Sequence, residues 1–244
     1  MVQFSLVLPV HNQACFLKRN LPIIKRKLDK LGIDYEIIIA EDGSTDQSYK
    51  IAKEFEKKYK NVKVLHSRNR LGRGLALKRA FKAAKGICVG YIDIDNATNL
   101  RHLKDLIELI GGDYDIVVGS RYLKKKFTER SFIRLILSLF FNFLVRIVLE
   151  SKIKDHQCGF KAFKKDVINR LNQFSEDDYW FWDTEILALA QSFNFKIKEF
   201  PVEWKENKKS TVNIIKDSLY MLTRIFKLRM KLSKMKREFQ QSLK

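Results

Sequence analysis

Two carboxylates one residue apart close an apolar run, Cys88-Val89-Gly90-Tyr91-Ile92-Asp93-Ile94-Asp95. Such a run ending abruptly in acids reads as a buried strand whose carboxyl end projects both side chains from one side. Two hard oxygen ligands suit Mg²⁺ or Mn²⁺ and leave most of an octahedral shell open, so that the ion can also hold a nucleotide diphosphate and stabilise its departure. The competing reading is a helix cap, since Asp is common at helix starts. Cys15, Cys88 and Cys158 lie far apart with no Cys-x-x-Cys, and none of the four histidines has ligand spacing. This argues against structural zinc and for a reducing compartment.

The elements that must position these acids alternate along the chain. Strands are expected at residues 4–8, ending at Pro9, and at 35–40, 62–66 and 115–118, with helices over 15–31, 46–59 and from Gly74 to Lys85. Strand and helix in turn predict an α/β domain with a mostly parallel sheet covered on both faces, whose ligands bind at the carboxyl ends of the strands. The polar turns Pro9-Val10-His11-Asn12, Glu41-Asp42-Gly43-Ser44 and Asp93-Ile94-Asp95 fall there. With 244 residues and 45% hydrophobic content, one large domain with an appended C-terminal element is expected. The net charge of +20 asks for a polyanionic partner: nucleic acid, anionic lipid or a phosphorylated substrate.

Leu8-Pro9-Val10-His11-Asn12, Glu41-Asp42-Gly43-Ser44-Thr45-Asp46, Gly72-Arg73-Gly74, Asp93-Ile94-Asp95 and Gly119-Ser120-Arg121, in this order, resemble the family 2 glycosyltransferases of the GT-A (Rossmann-like) fold. Gly159-Phe160-Lys161 and Glu199-Phe200-Pro201-Val202-Glu203-Trp204 look more narrowly like the polyprenyl-phosphate (dolichyl-phosphate) mannose and glucose synthases. The resemblance covers about residues 3–212. It implies a nucleotide sugar of the GDP-mannose or UDP-glucose type, bound by Pro9, Asn12, Glu41, Asp42, Gly43, Gly72 and Asp93, with Asp42 accepting from the base. Asp93 and Asp95 would hold the metal, and Arg121 would clamp a phosphate bidentately. Gln13 stands where the family usually has Glu. Ala97 stands where relatives often place a further metal ligand, leaving that position to water.

Residues 132–149 form an apolar helix with one polar stripe, Arg134, Ser138 and Asn142. Its apolar remainder fits core packing, a dimer interface or a membrane interface. The resemblance turns Arg134 and Ser138 toward an acceptor phosphate, with Lys208, Lys209 and Ser210 beside it. His156 reads as a loop histidine, and Asp183 as a helix cap or, were the acceptor a sugar hydroxyl, the general base. Residues 212–244 are basic with near-helical apolar spacing, a membrane-surface signature that also fits a tail binding RNA or a partner, whether a membrane-anchored protein or a second copy. The domain boundary is placed at 211/212.

The resulting expectation is an inverting hexosyltransferase to a polyprenyl phosphate, peripheral on the cytoplasmic face of an anionic membrane. The chain starts almost directly in a strand, and no apolar run reaches the roughly 18 to 20 residues a span needs. Nucleic-acid binding is disfavoured because the aromatic residues cluster in apolar helices instead of interleaving with basic ones. A nucleotidyltransferase would leave Gly159-Phe160-Lys161 unexplained.

Overall fold

The computed structural model describes residues 1–124, 128–129, 132–205 and 214–242, with side chains described outside 125–134, 206–219 and 236–244. Strands β1 (Phe4–Val10), β2 (Tyr35–Asp42), β3 (Val62–Ser67), β4 (Cys88–Ile92), β5 (Ile116–Ser120), β7 (Phe160–Lys164) and β8 (Ile197–Pro201) form a seven-stranded sheet in the order β3-β2-β1-β4-β7-β5-β8. Only β7 runs antiparallel to its neighbours. A second, two-stranded sheet pairs β6 (Thr128–Glu129) with β9 (Trp204–Lys205).

Period-two alternation explains why both faces are covered. Leu6, Leu8, Ile37 and Ile39 enter one apolar cluster with Leu17, Leu21 and Ile24 of α1 (Ala14–Asp29), whereas Val7 and Ile38 enter the other with Leu77 and Phe81 of α3 (Arg73–Ala83). Strands buried on both sides must be continuously apolar, as these are. Helices α2 (Ser48–Lys58), α4 (Leu103–Gly111), α6 (Lys165–Phe174) and α7 (Trp182–Ser192) complete the layers.

Several strands outrun their expected ends. β1 continues through Pro9 to Val10, because Pro9 lies beyond the last pair with β4, Val7 with Tyr91, where its missing N–H costs that ladder nothing. β2 carries on to Asp42, so Glu41 and Asp42 are strand residues paired with His66 and Ser67. β5 likewise absorbs Gly119 and Ser120 and leaves Arg121 just past its end.

Helix α5 (Phe132–Val148) packs on α8 (Ile214–Ser242). Val145 and Leu149 are buried with Ile225, Leu228 and Leu232, and Arg229 pairs with Glu150 at 2.7 Å. The 211/212 boundary falls outside the described residues. Among the described residues no helix is long and apolar enough to cross a membrane.

Candidate active site

The parallel strands carry polar residues at their carboxyl ends, and hydrogen bonds join these turns to one another. β4 stops at Ile92, so Asp93 and Asp95 emerge at its carboxyl end as expected. The turn is pinned from three sides: Asp93 N–H donates to Gly159 O (3.1 Å), buried Asn20 of α1 donates to Ile94 O (2.7 Å), and Ala97 N–H donates to Asp95 Oδ1 (3.0 Å). Gly159 has no room for a side chain, since an added Cβ would stand 1.9 Å from Asp93 Oδ2. That explains the glycine of Gly159-Phe160-Lys161.

Antiparallel pairing of Tyr91 with Lys161 brings the lysine of this motif under the acids. Fully buried Lys161 donates to Asp183 Oδ1 (2.7 Å), Tyr91 Oη (3.1 Å) and Cys158 O (2.6 Å). A buried ammonium is tolerated only when its donors are satisfied, as here. The Tyr91 hydroxyl also donates to Asp183 Oδ1. Arg73, between the two glycines that open α3, donates from Nη2 to Asp93 Oδ1 (2.7 Å) and from Nη1 to Asp183 Oδ2 (3.3 Å). Its guanidinium lies 5.2 Å from the Tyr91 ring centroid and 5.3 Å from that of Trp180. Burial, with Asp95 and Asp183 close by, pushes the Asp93 carboxyl up to about 6 against the pull of Arg73 and Lys161. Three acids crowd one corner of the site, a field that favours a cation.

Asp93 and Asp95 therefore fit a divalent ion by donor chemistry and by crowding. Among the described residues no group of three or more His, Cys, Asp or Glu side chains is arranged to hold a metal. Two carboxylates leave the remaining positions to phosphate and water oxygens, the arrangement Mg²⁺ and Mn²⁺ prefer.

Several residues expected to bind the nucleotide also hold the turns in which they lie. The oxygens of Asp42, the residue expected to accept from a base, take the N–H groups of Leu71 (2.6 Å) and Gly72 (3.0 Å). Glu41 accepts Ser44 N–H (2.6 Å) and pairs with His66. Asn12 Oδ1 accepts from Thr45 N–H (2.8 Å) and Asp46 N–H (3.3 Å), which staples the β1 turn to the β2 turn. Gly43, at φ +62°, abuts the backbone of Asn69 and Arg70, while Gly72, at φ +102°, faces Asp178 O, 2.4 Å from where its Cβ would stand. Pro9 sits half-buried near the end of β1.

Arg121, expected to clamp a phosphate, is paired within the protein. Its bidentate edge meets Asp155, with Nε to Oδ2 and Nη2 to Oδ1 both at 2.7 Å, and Asp155 also accepts Arg121 N–H (2.9 Å). Burial opposes the Asp155 charge, but the Arg121 charge and these bonds outweigh it and hold the carboxyl below its usual range. Trp204 lies with its centroid 5.4 Å from the guanidinium carbon. The Glu199-to-Trp204 motif is explained by the same loops: Glu199 accepts the N–H groups of Lys154 (2.9 Å) and Asp155 (3.0 Å), and Glu203 accepts from Asn99 (2.8 Å) and Arg101 (2.8 Å). Asp183, the alternative base, is buried and takes hydrogen bonds from Lys161, Tyr91 and Arg73. His156 is a loop histidine, as expected. It is bound to Asn142 Oδ1 (2.8 Å) and Ser151 (2.8 Å), and burial lowers its pKa to about 3.

On α5, Ser138 and Asn142 of the polar stripe face inward. Asn142 is buried against His156, and the Ser138 hydroxyl meets that of Tyr122, next to Arg121. The opposite face is bare, with Phe140 54%, Phe143 55% and Ile147 60% exposed. The side chain of Arg134, and Lys208, Lys209 and Ser210 entirely, lie outside the described residues. Sequence reading passed over Tyr91 and Trp180 and gave Arg73 and Lys161 no role of their own. Their signals were present, an Arg between two glycines and a Lys ending Gly-Phe-Lys.

A mostly parallel sheet with helices on both faces and paired acids at its carboxyl edge defines a glycosyltransferase of the GT-A type. The description Glycosyl transferase family 2 matches residues 5–171, and the chain belongs to that family. It is 40% identical over 229 residues to glycosyltransferase AglD of Haloferax volcanii, covering 93% of this chain and 37% of that protein. It is 32% identical over 242 residues to the dolichyl-phosphate beta-glucosyltransferase of Dictyostelium discoideum, covering 93% and 74%. The chain thus spans little more than a third of AglD and about three quarters of the Dictyostelium protein. In fold it resembles the glucosyl-3-phosphoglycerate synthase of Mycobacterium tuberculosis crystallised with Mn²⁺, UDP and phosphoglyceric acid, at TM-score 0.65 and 17% identity over 93% of this chain and 78% of that one.

Proposed function

We propose that this glycosyltransferase moves a hexose, glucose before mannose, from a nucleotide diphosphate sugar to the phosphate of a dolichyl or other polyprenyl phosphate. The observation that carries the reading is the two-sided α5, whose polar edge turns toward Tyr122 and His156 while Phe140, Phe143 and Ile147 stand bare. A lipid whose head is charged and whose tail is insoluble needs such a surface. The similarity to the dolichyl-phosphate beta-glucosyltransferase supports the acceptor and the sugar.

Asp93 and Asp95 would hold Mg²⁺ or Mn²⁺, which supplies charge neutralisation for a departing nucleotide diphosphate. Arg73 adds a fixed positive charge at the same corner, and its buried Nε has no hydrogen-bond partner among the described residues, leaving one donor for a ligand oxygen. A phosphate acceptor is already anionic, so placement and electrostatics suffice without a base. This agrees with Asp183, whose carboxylate is buried and takes three donors. A hydroxyl acceptor would require that carboxylate to be released. Single displacement inverts the anomeric centre, so an α-linked donor gives a β-linked product.

The bare face of α5 and the cationic α8 would rest on an anionic bilayer at the cytoplasmic face, and the positive charge serves lipid instead of nucleic acid. A second copy or a membrane-anchored protein would be the other occupant of that face. The test is to incubate the protein with Mn²⁺, dolichyl phosphate and either UDP-glucose or GDP-mannose and extract with chloroform. Sugar in the organic phase is expected; transfer confined to water-soluble acceptors would overturn the proposal.

A further inference from the structure

Between α6 and α7 the chain runs as a strap, residues 175–181, dense in acids and aromatics: Ser175-Glu176-Asp177-Asp178-Tyr179-Trp180-Phe181. Its inner side is part of the active site. Asp178 O accepts Leu75 N–H (3.0 Å), and Lys78 donates to Asp178 Oδ1 (3.0 Å) and Ser175 O (3.2 Å). Gly72 and Gly74 are glycines because a Cβ at either would strike Asp178, and at Gly74 also Trp182. Trp180 lies beside the Arg73 guanidinium that reaches Asp93, and Asp183 follows two residues beyond the strap.

The outer side is held by the C-terminal helix. The Asp177 side chain is wholly buried; Arg224 Nε pairs with its Oδ2 at 2.9 Å and the Tyr220 hydroxyl donates to the same oxygen at 2.5 Å. Its other oxygen caps Tyr179 N–H (2.8 Å), and the Tyr179 and Tyr220 rings meet edge to face at 6.4 Å. Lys231 reaches Glu176 (2.8 Å) and the Phe174 carbonyl, and Lys227 reaches Glu176 at 3.3 Å. Buried Glu185 accepts the N–H groups of Glu176 and Asp177 from below. A buried carboxylate is stable only with its counter-charge and hydrogen-bond donors in place, and here α8 supplies one charged and one neutral donor to Oδ2.

We infer that α8 is a positioning element of the active site: Arg224 and Tyr220, by fixing Asp177, set the strap that holds Trp180 against Arg73 and so orient the Arg73–Asp93–Asp183 corner. The basic tail thereby acquires a task inside the molecule besides any surface it touches. The inference rests on the donor-site reading above only for its effect on nucleotide binding; its effect on the strap is independent of it.

The full chain and its Arg224→Ala, Arg224→Lys and Tyr220→Phe variants are compared by hydrogen exchange of residues 175–181 and by calorimetric titration with UDP, and separately GDP, in the presence of Mn²⁺. Loss of a buried charged hydrogen bond should raise strap exchange and weaken nucleotide binding by about tenfold in Arg224→Ala, with partial recovery in Arg224→Lys. In turnover, the donor KM should rise while the lipid-phosphate KM stays unchanged. If Arg224→Ala does not fold, Tyr220→Phe carries the test with a smaller change of the same sign. Wild-type exchange and affinity in folded Arg224→Ala, or in Tyr220→Phe should that variant not fold, would overturn the inference. Failure of the unaltered protein to bind either nucleotide would instead overturn the donor-site reading, leaving strap exchange to decide this one.

Discussion

Arg73 and Asp93 form an ion pair of 2.7 Å at the mouth of the sheet, and the same guanidinium reaches Asp183 at 3.3 Å. One fixed cation thus holds together two acids that are 90 residues apart in sequence, at the end of β4 and the start of α7. Asp95 stands beside this pair and adds to the negative field on Asp93.

Removing that neighbouring carboxylate should disable the site without harming the core, because Asp95 is half-buried at a strand end. Asp95→Ala is expected to cut sugar transfer by about 10³-fold, the scale of several kcal/mol of lost charge stabilisation, and to abolish Mn²⁺-dependent nucleotide binding. The melting temperature should stay near that of the parent. Full activity in excess chelator would refute the metal assignment.

Arg134→Ala separates acceptor from donor. Loss of one charged partner should raise the KM for polyprenyl phosphate by about tenfold and leave nucleotide affinity nearly intact. Weakened nucleotide binding with unchanged lipid dependence would move Arg134 to the donor side.

His156 predicts an acid-sensitive fold. Buried neutral with a pKa of about 3, it stays unprotonated in the native chain while the unfolded chain takes up a proton below about 6.5. The unfolded state then binds more protons, so stability should fall as pH drops from about 6.5 toward 3, by about 2 kcal/mol at pH 5. Chemical denaturation of the parent and of His156→Gln across this range is the check: the variant should be less stable at neutral pH but should lack this part of the slope.

The apolar face of α5 makes a separable claim about membranes. Phe140→Glu with Phe143→Glu changes two exposed residues that support no core, so folding should persist. Binding to anionic liposomes should fall by at least about tenfold, since each buried Phe contributes roughly 1.5–3 kcal/mol and each new charge is repelled. Salt at 1 M, with a Debye length of roughly 3 Å, should release part of the parent protein and leave the apolar part bound. Unaltered sedimentation with liposomes would place the contact elsewhere.

The place of the candidate site was readable because spacing and residue type speak directly at strand ends. Asp93-Ile94-Asp95 follows a continuously buried strand and opens at its carboxyl end, and Gly43, Gly72 and Gly159 mark places where backbone or carboxylate comes too close for a side chain. Partnerships were not readable. Arg121 met Asp155 and Asp42 met the Leu71 and Gly72 amides because two carboxylates that look alike in sequence are told apart only by what lies within 3 Å of them.

Continuous apolar strand runs, short polar turns and an apolar helix with one polar stripe were enough to indicate the layered sheet, the edge at which the candidate site lies and the two-sided character of α5, since these follow from local periodicity and burial. The three-dimensional fold alone decided which charges cancel. It set antiparallel β7 beside β4, so that Lys161 lies under Asp183, and it laid α8 against the strap, so that Arg224 meets Asp177. Electrostatic energy depends on distance and burial, and chain separation carries neither.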